Sequence, residues 1–127
     1  MDERLEKALN FSNYMVNLNN QKRVLEETYA QDIIHYFNGA QFTVNKELIC
    51  FCKIMMLQEQ ESVVLVDDNN RPVEIEDLKD FFDEILSIYN EASNSYFVNY
   101  TSLVKSKQKM HDVVLEQIQT EETDKNE

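Results

Sequence analysis

From Asp2 to Phe37 the apolar residues Leu5, Ala8, Phe11, Met15, Leu18, Leu25, Tyr29, Ile33 and Tyr36 recur at steps of three and four, interrupted in register only by Lys22. Residues at that spacing share one face of a helix, so the pattern predicts a single long amphipathic helix. A second stripe runs from Glu76 to about Val114 through Leu78, Phe82, Ile85, Tyr89, Ala92, Tyr96, Leu103 and Met110, with Asn99 as its polar break. Two such helices cover each other's apolar faces once the chain between them turns round. Leu18, Leu25, Ile33, Ile85, Tyr89 and Tyr96 are the expected seam.

The segment between the stripes carries the turn and strand signals. Asn38 and Gly39 tolerate the left-handed conformation of a helix C-cap and read as the end of the first helix. Residues 41–44 alternate polar and apolar, which predicts a short strand. Asn45 reads as the N-cap of a middle helix from Lys46 to about Gln60, with Glu47 in its first turn. Apolar residues go most of the way round that helix, so it is expected to be the most buried. Residues 63–66 and 72–75 read as a hairpin with Asn69 and Asn70 at its tip. The fold class expected is mainly α (α+β): two long antiparallel helices joined by a strand, a short buried helix and a β-hairpin. Its three strands (41–44, 63–66, 72–75) would form one small sheet at one end. Residues 1–119 are expected as a single domain, and residues 120–127, acidic and without apolar anchors, as a disordered tail.

Composition sharpens this picture. One Gly and one Pro in 127 residues favour long helices over a loop-rich fold. No apolar run approaches the roughly 18 residues that cross a bilayer, and Met1-Asp2-Glu3-Arg4 lacks a signal-peptide pattern, which predicts a soluble, unexported protein. Cys50 and Cys52 read as reduced thiols in the core. The net charge is −12 and is concentrated: residues 59–91 hold eleven acids against Arg71 and Lys79. That balance disfavours direct nucleic-acid binding, which needs clustered Lys and Arg, and suits a basic protein partner. Asp77, Asp80, Asp83 and Glu84 are its candidate contact residues. Tyr96 and Tyr100 join them, because the aromatics outnumber what two helices bury and Tyr suits a half-wet interface. Lys22 and Asn99, polar breaks in otherwise apolar stripes, suggest a homodimer with both residues near its axis.

Other candidate chemistry is weak. An EF-hand loop starting at Asp67 would need Gly where Pro72 stands and Glu where Leu78 stands. His35 and His111 lie near opposite ends of the expected helical pair and read as boundary or surface residues. Lys105, Lys107 and Lys109 spread round a helix as a solvated collar. The sequence has no nucleophile elbow, phosphate-binding glycine loop or paired metal motif, so no catalytic, metal or cofactor site is expected.

Several stretches are familiar together: Met1-Asp2-Glu3-Arg4-Leu5-Glu6-Lys7-Ala8-Leu9, Asn38-Gly39-Ala40-Gln41-Phe42, the run from Val66 to Ile75, and Glu91-Ala92-Ser93-Asn94-Ser95-Tyr96. They resemble small proteins of contractile-tailed phages that infect marine cyanobacteria, with Ala40 standing where that pattern has a second glycine. The resemblance implies a phage protein in the cytoplasm of the infected bacterial host, or carried in the virion, and it brings no catalytic residue with it. The expected function is a non-enzymatic accessory: a scaffold-core component, morphogenesis chaperone or transcription accessory that works by protein interaction. The alternative is an acidic decoy that mimics DNA and occupies a host nucleic-acid-binding protein.

Overall fold

The computed structural model describes residues 2–125, and of residues 114, 115 and 117–125 the backbone alone. In chain order its elements are α1 (Glu3–Asp32), β1 (Ile34–Phe37), β2 (Ala40–Thr43), α2 (Lys46–Leu57), β3 (Val63–Val66), β4 (Pro72–Ile75) and α3 (Leu78–Lys125). The fold is mainly helical with two small antiparallel hairpins. It divides into two compact units: Glu27–Tyr96, and Met1–Glu26 with Phe97–Glu127.

Helix α1 stops at Asp32, short of the expected Phe37. Residues 34–37 instead form β1, and Asn38 (φ 48°) and Gly39 (φ 81°) make the turn into β2. A two-residue hairpin turn of type I′ requires positive φ at both central positions, so Asn-Gly is here a hairpin signal and not a helix cap. Ile33, His35 and Phe37 are at least half-buried, whereas Tyr36 is 71 % exposed. Ile34 is half-buried as well, so the alternation of a strand shows from His35 to Phe37. The three-step from Ile33 to Tyr36 imitated a helix.

The single three-stranded sheet is likewise replaced by two separate two-stranded sheets, β1-β2 and β3-β4. The reason lies at the outer edge of β2. Its Gln41 amide donates to Asp67 Oδ2 at 3.3 Å and its Thr43 amide to Asp68 Oδ1 at 3.2 Å, so carboxylates occupy the edge where a third strand would pair.

Helix α2 starts as its sequence dictates, with the Leu48 amide donating to Asn45 Oδ1 at 2.8 Å. It ends at Leu57 in a paired-bond C-cap: Gln60 N–H donates to the Met55 carbonyl and Glu59 N–H to the Met56 carbonyl. The residue forced left-handed is Glu59, at φ 61°. This helix is not the most buried. Cys52 is enclosed, but Phe51, Ile54 and Leu57 are exposed, because the hairpins and α3 cover one side only. Cys50 is exposed too. Positions two apart on a helix point about 200° apart, so the two cysteines cannot both face the core. Burial pushes the Cys52 thiol up to about 11.

The core of this unit is Ala40, Phe42, Val44, Cys52, Leu65, Ile75, Leu78, Phe81 and Ile85. Phe81, which lies outside the expected stripe, is its centre. Its ring stands edge-on to Phe37 at 5.4 Å and to Phe42 at 5.5 Å. Of the expected seam, Ile85 is fully buried; Ile33, Tyr89 and Tyr96 are half-buried, with Tyr96 edge-on to Tyr29 at 5.0 Å.

In the unit formed by the chain ends, Leu18 is buried; Tyr14, Met15, Leu25 and Leu103 are half-buried. Leu5, Phe11, Val16, Phe97 and Val98 are exposed, as are Lys22 and Asn99. Helix α3 continues past Val114 to Lys125. The tail expected at 120–127 falls where side chains, and from residue 126 the backbone also, lie outside the described residues.

A left-handed conformation costs a residue with a Cβ about 1–2 kcal/mol, part of which glycine's greater chain entropy gives back. Glu59→Gly should therefore stabilise the fold by roughly 0.5–1 kcal/mol, read as a higher urea midpoint at unchanged slope. A lower midpoint would mean that the Glu59 side chain stabilises the native state more than its backbone conformation costs.

Candidate protein-interaction surfaces

The acids between residues 59 and 91 have distinct local roles. Asp67 is 4 % exposed. Its Oδ1 accepts from the amides of Arg71 at 2.8 Å and Asn69 at 3.0 Å, and its Oδ2 from Gln41. The Arg71 guanidinium stands 3.5 Å away and also donates to the Gly39 carbonyl. These amide donors, Arg71 first, hold the Asp67 carboxyl below the usual carboxylate range against the opposing effect of burial. Asp68 is the second half of the clamp: its amide donates to the Gln41 carbonyl at 2.8 Å, while its carboxylate accepts from Thr43 Oγ1 at 2.7 Å and Gln41 Nε2 at 3.3 Å. Asn70, at φ 63°, closes the loop, as the sequence placed it. Both carboxylates thus face amide and hydroxyl donors, and no group of three or more His, Cys, Asp or Glu is placed to hold a metal among the described residues.

Asp77 caps α3, its Oδ1 accepting from the Asp80 amide at 3.1 Å. Asp80, Asp83, Glu84 and Glu91 are exposed. At steps of three, four and seven they fall on one side of α3, away from Leu78, Phe81 and Ile85. The structure therefore brings three of the expected contact acids into one row and assigns the fourth, Asp77, to the helix start. Glu84 has a neighbour that the sequence did not reveal: its Oε2 stands 3.2 Å from His35 Nε2, off the line of a hydrogen bond. His35 is a boundary residue, as expected, but not at a helix end. It lies in β1 opposite Phe42, with its ring 5.9 Å from that of Phe81. Once 34–37 is read as a strand, alternation places it inward.

A cleft of about 570 Å³ opens where α2 ends and α3 begins, lined by Met56, Glu59, Glu61, Glu76, Asp77 and Lys79. Tyr96 belongs to the unit of the hairpins; exposed Tyr100 belongs to that of the chain ends. Among the described residues no helix is long and apolar enough to cross a membrane. Compared with known proteins, the chain matches no family model, no curated protein and no solved structure.

Because its native pKa is depressed, Asp67 contributes stability that is present above the unfolded carboxylate value of about 3.9 and is lost as pH falls through the native value. Asp67→Asn should lower the urea midpoint at pH 7. The gap from the natural protein should begin to close below about pH 4, where the unfolded carboxylate takes up its proton, and go on closing until the native carboxylate protonates at its lower pKa. A gap of equal size at pH 7 and pH 3 would show that the carboxylate charge is not what holds the loop.

Proposed function

We propose that this chain is a non-enzymatic accessory protein of phage origin that acts by binding another protein, in the cytoplasm of an infected bacterium or in the virion. The observation that carries the reading is the apolar surface of the chain-end unit. In that unit Leu18 is buried, while Leu5, Phe11, Val16, Phe97 and Val98 are exposed. Helices with so little covered apolar area gain stability when another helix packs on them. Pairing of the two long helices along their length, with a second copy or a different protein completing the bundle, belongs to this reading. The phage origin rests on the resemblance of the quoted segments. The row Asp80, Asp83, Glu84 and Glu91 supports a basic partner, with Tyr96 and Tyr100 as further contacts. It also favours the second reading, a DNA-mimicking decoy, since i,i+3 and i,i+4 spacing sets carboxylates about 5–6 Å apart at their bases.

Replacing Phe97 and Val98 together by Gln should change folding stability by less than about 0.5 kcal/mol, since both are already exposed, yet abolish capture of the partner from infected-cell lysate. Capture undiminished by that change would remove the helical ends as the interface.

A second experiment separates the readings. Asp80→Asn, Asp83→Asn and Glu84→Gln combined should slow association with the captured protein and flatten its salt dependence, while helicity stays the same. If the captured protein is a DNA binder and short duplex DNA displaces the chain competitively, the decoy reading replaces the assembly reading.

A further inference from the structure

The β3-β4 hairpin has one protected edge and one open edge. In its register Val63 faces Ile75, Val64 faces Glu74, Leu65 faces Val73 and Val66 faces Pro72. The Asp67 amide donates to the Arg71 carbonyl at 2.9 Å, which makes that pair hydrogen-bonded. Bonded and non-bonded pairs alternate along an antiparallel ladder, so Leu65-Val73 and Val63-Ile75 are also bonded pairs. Pro72, which has no N–H, fits the non-bonded position opposite Val66. The amides and carbonyls of Val64 and Val66 therefore point away from β4. Nothing among the described residues pairs with them: the loop end of this edge is closed by the Asp68 amide on the Gln41 carbonyl, and there the contact stops. Val64 and Val66 are also 63 % and 64 % exposed.

Edges left open in folded proteins are ordinarily blunted by Lys, Pro, a bulge or a cover. On this hairpin Pro72 lies on β4 and β3 has no such device, while in the other hairpin β2 is covered by Asp67 and Asp68. The open edge of β1 is less accessible, since Ile34 is half-buried.

We infer that the outer edge of β3 is a strand-addition site for an extended segment of another protein, apolar at alternate positions and flanked by Lys or Arg. The apolar requirement follows from Val64 and Val66, which would lie beside the added side chains on the exposed face. The basic flanks follow from the surroundings: exposed Glu61, Glu74 and Glu76 stand in residues 61–76 against Arg71 alone, beside Asp67 and Asp68, whose carboxylates already have amide and hydroxyl donors. The same charges argue against a second copy. Antiparallel pairing of Val64 with Val66 of another chain would set Ser62 opposite Asp68 and Glu61 opposite Asn69, so each end of the pairing would carry an acid and no base. This surface belongs to the hairpin unit and is independent of the exposed helical ends, so either can fail without the other.

The probe is the peptide acetyl-Lys-Thr-Val-Thr-Val-Lys-amide, titrated into the full-length protein labelled with ¹⁵N. Binding should be saturable, with the largest amide shifts at Val64 and Val66, and should weaken as salt rises. The same peptide with proline at its third position keeps the charge but cannot form the ladder, and it should bind on the order of tenfold more weakly. Val64→Pro removes an outward donor without touching a hairpin bond, and Val66→Lys opposes the basic flanks without altering the backbone. Each should reduce affinity by a similar factor while the circular dichroism spectrum stays unchanged. Equal binding of both peptides, or shifts centred elsewhere, would overturn the inference. So would a free protein that sediments as a dimer dissolved by Val64→Pro, since its own β3 would then be the occupant.

Discussion

The Asp67 carboxylate is the interaction on which the rest of the hairpin unit depends. It is enclosed, and three backbone amides from two different hairpins converge on it: Asn69 and Arg71 in its own loop, Gln41 across on β2. A buried carboxylate without such donors would be costly, whereas one that satisfies several amides at once fixes their relative positions. Two-stranded hairpins are marginal alone, and each of these becomes tenable because the other supplies its missing hydrogen bonds and its second apolar layer. Asp68 extends the clamp along β2. The result places Phe42 and Leu65 on the same core, with the Phe81 ring between α3 and the strands.

That arrangement explains why α2 leaves one side bare. The hairpins and the first turns of α3 converge on Cys52 and the half-buried Leu48, Ile49 and Met55, and among the described residues none covers Phe51, Ile54 and Leu57. The helix is nonetheless well bounded, by Asn45 at its start and by Glu59 at its end. Local signals set where it begins and stops. How much of it is buried depends on what the rest of the chain can supply.

The parts of the fold legible in the sequence are those governed by one short-range rule. Asn45 as a cap, the 63–66 and 72–75 strands, Asn70 at the tip and the acid-rich entry to α3 all follow from local backbone chemistry. Where two periods competed, the reading failed: Ile33 and Tyr36 fit a helical step, and Asn38-Gly39 suits both a helix end and a type I′ turn. Alternation through His35 and Phe37 on one side of Asn-Gly, and through Ala40 and Phe42 on the other, was the signal that would have found β1. The division into two sheets was not legible. It depends on side-chain carboxylates taking the place of a strand, and acids in a turn read the same whether they face solvent or a neighbouring amide. For the candidate contact residues, sequence spacing located the row on α3, but the Glu84-His35 approach needed the strand.

The acids of the middle segment therefore divide into two physical classes. Asp67, Asp68 and Asp77 are tied to backbone amides, and their charge is largely compensated where it sits. Asp80, Asp83, Glu84 and Glu91 face water, where their field reaches about one Debye length, roughly 8 Å at physiological salt, and acts on encounter more than on fit. Fit requires groups that become ordered only in contact, and the chain offers two kinds: exposed apolar side chains on its helical ends, and the outward backbone groups of Val64 and Val66. On the proposed reading, the charged row steers a partner and the uncharged groups hold it, so association speed and residence time respond to different substitutions. On that reading, neutralising the row changes how often a partner arrives, and blocking the β3 edge changes how long it stays.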